Sequence, residues 1–141
     1  MAKAWLIWFY ESLVPRVQGA PESVLLPAAS LIENQSAAIA TTPLPIGDLP
    51  AGDYLVSYNA RKTTADGAAS SLTVTIGWTD IDGTSQIMSG AAMAVDNTIT
   101  PQSNTWIVSI ANSSPITYAT LYSSTTPGNM KYKLEVLVQR L

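Results

Sequence analysis

The stretch Leu72-Thr73-Val74-Thr75-Ile76-Gly77-Trp78-Thr79-Asp80-Ile81-Asp82-Gly83 decides the fold of this chain. Leu72, Val74, Ile76 and Trp78 alternate with Thr73, Thr75, Gly77 and Thr79. Successive strand side chains point to opposite faces, so the pattern predicts a strand with one apolar face and one hydroxyl-bearing face. Asp80 to Gly83 supplies turn chemistry, with Asp82-Gly83 suited to the positive φ of a tight hairpin. The expectation is a central strand of a small β domain, with the rest of the chain packed around it.

The same period of two recurs on both sides. Tyr54, Val56, Tyr58 and Ala60 alternate with Leu55, Ser57 and Asn59, after a turn at Pro50 to Asp53. Arg61 to Ser71 reads as a polar loop, and Gln86 to Val95 as a weaker strand. Trp106, Val108 and Ile110 share one face of a strand at 105–111. Asn112-Ser113-Ser114-Pro115 turns the chain into a strand holding Ile116, Tyr118 and Tyr122. Tyr132, Leu134, Val136 and Val138 close the sequence. Six strands at this spacing, with no helical period between them, predict an all-β sandwich or barrel over residues 50–141. No charge occurs between Asp96 and Lys131. Edge strands are normally defended by charge, so strands in this window are expected to be central or buried against another copy.

Residues 1–49 form a different regime, read as an apolar segment followed by an extended arm. Trp5, Leu6, Ile7, Trp8, Phe9 and Tyr10 follow Lys3 in the manner of a signal peptide, but Glu11 ends the run early and no small-x-small cleavage pattern follows. The run is far short of the roughly 20 residues of a membrane span. Such a segment needs covering, so a docking arm or edge strand is expected, either helical or extended. Pro15, Pro21, Pro27, Pro43, Pro45 and Pro50 then punctuate the chain. Proline removes ladder donors, which leaves two readings open: an extended, proline-rich connection with one or two short edge strands, near Val24 to Leu26 and at Leu31 to Ala40 (the latter a strand or a helical turn), or the loop-rich first half of the sandwich.

Composition excludes several chemistries. The 141 residues contain no cysteine and no histidine, so disulfides, thiolate metal sites and a Ser-His-Asp triad are impossible within one chain. Charged residues are 12% of the chain, about half the usual ~25%. The seven basic residues are scattered, so no phosphate-tracking stripe exists and nucleic acid is not an expected partner. Low charge with 47% hydrophobic content points instead to a surface that is partly subunit interface.

No candidate site rises above its structural explanation. Asp80-x-Asp82-Gly83 lacks the further acidic ligands of a calcium loop and reads as a hairpin turn. The acidic residues show no glycosidase pairing, and Ser57 with Arg61 and Lys62 shows no nucleophile spacing. Asn112-Ser113-Ser114 matches a glycosylation pattern that Pro115 weakens. Tyr54, Tyr58, Tyr118, Tyr122, Trp78 and Trp106 suit a sugar platform or an interface, but their alternation favours a core. No catalytic residue, cofactor or metal site is expected.

The segments Ser71 to Asp80, Asn112 to Ile116 with Tyr118 to Tyr122, and Tyr132-Lys133-Leu134-Glu135-Val136 carry a resemblance. Over residues 50–141 the chain resembles the small jelly-roll proteins of tailed-phage virions, namely capsid decoration (cement) proteins and heads of trimeric fibres. The resemblance implies a homotrimeric structural protein of the virion, without enzyme activity or cofactor, bound to the major capsid protein or neighbouring subunits. On that reading Trp5, Leu6, Ile7, Trp8 and Phe9 anchor the arm. Trp106, Ile116, Tyr118 and Tyr122 are candidate subunit contacts. The alternative is a tail or fibre component with a carbohydrate- or receptor-binding sandwich, using loops near 62–70 and 79–85.

Overall fold

In the computed structural model, residues 30–66, 70–93, 101–111, 113–126 and 128–141 are described. They form eight strands: β1 (Ser30–Gln35), β2 (Thr42–Pro43), β3 (Gly52–Thr64), β4 (Ser71–Thr79), β5 (Ser85–Ser89), β6 (Pro101–Ile110), β7 (Thr117–Ser123) and β8 (Lys131–Arg140). One sheet runs β1-β8-β3-β6 and the other β2-β7-β4-β5, with antiparallel pairing throughout. Consecutive strands mostly alternate between the sheets, which is the double Greek-key order of a jelly roll.

The period of two explains why these segments pair this way. Leu72, Val74, Ile76 and Trp78 of β4 are buried, as are Tyr54, Val56, Tyr58 and Ala60 of β3 and Tyr132, Leu134, Val136 and Val138 of β8. These inner faces meet between the sheets and form one hydrophobic cluster. The opening stretch lies between β7 and β5, so it is central as its pattern predicts. Its turn is a three-residue loop. The Gly83 N–H donates to the Asp80 carbonyl at 2.8 Å, and Gly83 alone in the turn takes positive φ, at 85°. Asp80 and Asp82 each accept a backbone N–H at 2.8 Å, from Ile81 and Thr84 respectively. The Thr84 N–H is the largest cause holding the Asp82 carboxyl below its usual range.

Two expectations change. The sandwich extends to Ser30 rather than starting at residue 50, because β1 pairs with β8 and β2 with β7. Leu44 and Leu49 are also buried in the core. Prolines here do not prevent a two-residue strand at an edge, where no second ladder is needed. Arg61 to Thr64 continue β3 instead of opening a loop, with Arg61 paired to Lys133 and Lys62 to Tyr132. Lys62 is fully buried. In the charge-free window β7 is internal, which meets one of the two expectations for its strands, and β6 is an edge strand.

Hydroxyl groups tie the first strands to the core. The Tyr132 hydroxyl donates to the Ala37 carbonyl at 2.8 Å and lies 2.7 Å from Thr120 Oγ1, which accepts the Ile39 N–H at 2.8 Å. Each buried hydroxyl in this chain of contacts therefore has a partner, as burial demands.

Candidate interaction surfaces

Side-chain chemistry divides sharply between the two sheets. Strands β2, β4, β5 and β7 contain no charged residue. Among the described strands, every charged side chain lies in β1, β3 or β8 of the other sheet. The outer face of the uncharged sheet follows from its register. Thr117, Ala119 and Leu121 of β7 stand opposite Gly77, Thr75 and Thr73 of β4, while Ser89, Ile87 and Ser85 of β5 lie beyond. Ile87 is 73% exposed and Leu121 67%. Around them are hydroxyls and small groups, with a shallow dimple of about 30 Å³ at Gly77. A Cβ on Gly77 would press on Thr117 Oγ1. The result is a low-relief face that a partner approaches without desolvating a charge.

The outer face of the other sheet is mixed. Glu33, Asn59, Arg61, Thr63, Lys133 and Glu135 line a basin of about 380 Å³ across β1, β8 and β3. Lys133 Nζ lies 3.3 Å from Glu33 Oε1 in an exposed pair, the kind worth about 0–1 kcal/mol. Further along, Leu55 of β3 faces Ile107 of β6 in the register. Among the described residues, no three acidic or other ligating side chains gather as a metal site would require.

The candidate subunit contacts are corrected by this geometry. Ile116 is fully buried, Tyr118 is buried, and Trp106 and Tyr122 pack half-buried against the core cluster. They face the interior of their own chain because they share strand parity with core residues. The Tyr118 and Tyr122 rings serve the sandwich, and the Tyr122 hydroxyl donates to the Met130 carbonyl at 2.9 Å. The outward neighbours Ile107 and Leu121 occupy the exposed positions, and counting parity from Val108 and Tyr118 is the signal that finds them. Trp5, Leu6, Ile7, Trp8 and Phe9 lie outside the described residues.

The loops proposed for sugar contact divide as well. The 79–85 loop is the hairpin whose carboxylates are occupied by its own backbone. In the 62–70 stretch, Asp66 Oδ2 accepts the Ser124 hydroxyl at 2.6 Å and the Thr126 N–H at 3.1 Å. These bonds, the Ser124 one foremost, hold the Asp66 carboxyl below the usual carboxylate range. They latch the β3–β4 loop to the β7–β8 loop.

Comparison with protein-family models and with curated protein sequences gives no match. Among solved structures, the chain is similar to TmCBM61, determined in complex with β-1,4-galactotriose. The identity is 8%, over 79% of this chain and 69% of that one, with a TM-score of 0.48. It is also similar to a chain in the structure of infectious bursal disease virus, Gx strain. There the identity is 12%, over 79% of this chain and 36% of that one, with a TM-score of 0.43. At this level of likeness neither bears on what this chain binds or builds.

Proposed function

We propose that this chain is a structural virion protein of the capsid decoration class, without enzyme activity, that acts by burying surface against the major capsid protein or neighbouring subunits. The observation that carries the reading is the four-stranded sheet without a charged residue, whose outer face exposes Ile87 and Leu121 among hydroxyls. An exposed face of this composition suits permanent contact, because charged side chains are depleted at the centre of interfaces. The apolar segment at residues 4–10 adds a second anchor, and the phage jelly-roll resemblance supplies the particle. The test is cosedimentation with purified shells. Leu121→Asp should leave the sandwich folded, since the side chain faces solvent in the isolated chain, yet reduce shell occupancy at least tenfold. Unchanged occupancy would remove this face from the mechanism.

The polar basin at Glu33, Arg61 and Lys133 favours a second reading, a glycan- or receptor-binding module of a tail or fibre. Its mixed donors and acceptors suit sugar hydroxyls, although its lining contains no aromatic ring. Under that reading Leu121→Asp retains full glycan binding, because the basin lies on the other sheet.

A further inference from the structure

Two irregularities in the charged sheet face each other across β8. β1 carries an extra residue between Ile32 and Gln35, where Asn34 takes φ 53°, and β3 carries one between Lys62 and Thr64. Both fall beside the same short run of β8, from Lys131 to Leu134. A bulge bends its strand and re-aims a side chain, which is why bulges gather beside binding sites. Here the pair frames the basin of about 380 Å³, with Glu33 from one irregular segment and Thr63 from the other in its lining. The volume lies at the small end of the ~300–1,000 Å³ range of small-ligand clefts.

Register places the charges. Arg61 of β3 stands opposite Lys133 of β8, and Asn59 stands opposite Glu135. Like charges facing each other across paired strands repel. Glu33 offsets the Lys133 charge at 3.3 Å. Among the described residues, no carboxylate forms an ion pair with Arg61. Thr63 Oγ1 is buried in the same lining without a hydrogen-bond partner. The basin therefore holds one guanidinium whose charge is not offset and one hydroxyl whose bonds are not made.

A guanidinium presents a planar fork that a carboxylate meets with two parallel bonds. The lining has no aromatic ring for a sugar to stack on, so a neutral sugar would gain only ordinary hydrogen bonds there. We propose that the basin binds an acidic sugar of the uronic acid class, with its carboxylate on Arg61 and its hydroxyls on Asn59, Thr63 and Glu135. Glu33 and Glu135 disfavour more highly charged anions such as a phosphate monoester. The proposal rests on the reading of this basin as a sugar site. It is compatible with shell docking, because the uncharged sheet is the other layer of the sandwich.

NMR titration of the full chain tests it, with methyl glucuronide and methyl galacturonide set against methyl glucoside and methyl galactoside. An acidic glycoside should bind about fivefold more tightly than its neutral counterpart, the margin between charge-assisted and neutral hydrogen bonds. The margin should shrink at high salt, because Arg61 is exposed. Arg61→Gln should erase it. Arg61→Lys should restore part of it, since lysine carries the charge without the fork. Thr63→Val should weaken both kinds of glycoside alike. Circular dichroism of each variant should match the wild type. Equal affinity for acidic and neutral glycosides overturns the acidic-sugar proposal and leaves the sugar site standing. Binding of neither kind overturns both. Acetate binding as tightly as the acidic glycosides reduces the basin to a plain anion site, and glucuronide binding unchanged by Arg61→Gln puts the carboxylate elsewhere. Either result also overturns the proposal.

Discussion

Gly90 shows how tightly single positions are set. Its N–H donates to the Val74 carbonyl at 2.9 Å, and a Cβ built on it would overlap the Tyr58 hydroxyl. Tyr58 cannot readily retreat. Its ring lies 5.5 Å from that of Trp106, and its hydroxyl donates to Gln102 Oε1 at 3.1 Å. The same burial pushes the Tyr58 phenol up from its ordinary value. Gly90→Ala should therefore destabilise the fold by about 1–3 kcal/mol through overpacking. Thermal denaturation checks this, and an unchanged midpoint would mean that the tyrosine moves freely. Nothing local in the sequence marks Gly90, because the tyrosine it meets lies far away along the chain.

Between elements, the Asp66 latch gives stability a pH dependence. A carboxyl held below its usual value in the folded state stabilises that state fully above the unfolded value of ~3.9, and the contribution disappears as pH falls through the lowered folded value. Asp66→Asn should lower the melting temperature near neutrality and make the acid limb shallower. It should not abolish that limb, because Asp82 is lowered in the same direction. Melts from about pH 2 to pH 7 test the sign expected from this linkage. Identical acid limbs in the two proteins would rule out the latch as a contributor. The element boundaries themselves were largely legible. β4, β7 and β8 follow their alternation closely. β3 ran longer than expected, because Arg61 and Lys62 look like loop residues until β8 is seen to pair with them.

For the whole molecule, the described sandwich begins at Ser30 and closes its own core. Deleting residues 1–14 should then leave the β-sheet circular dichroism and the cooperative melt unchanged and, under the proposed virion role, abolish incorporation into shells. Shell binding of the truncated protein at full occupancy would eliminate the docking arm. The jelly roll also separates the two kinds of surface. An uncharged sheet faces one way, and a charged sheet with a polar basin faces the other. No single stretch of sequence displays that partition, because β2, β4, β5 and β7 are spread from Thr42 to Ser123.

The sequence by itself determined the strand periodicity, the all-β class, the turn at Gly83 and the exclusion of thiol and imidazole chemistry. These depend on local geometry and on which atoms are present. Alternation already favoured a core for Trp106, Tyr118 and Tyr122; only the tertiary structure showed that Ile116 is sealed in with them while Ile107 and Leu121 stay uncovered, because exposure depends on what packs over each face. It also decided that β6 ends a sheet, because edge status belongs to long-range pairing and β6 carries none of the charge that usually marks an edge. The stretch from Leu72 to Gly83 kept its place at the centre of a sheet, but the surface it helps build became visible only once β5 and β7 were set beside it.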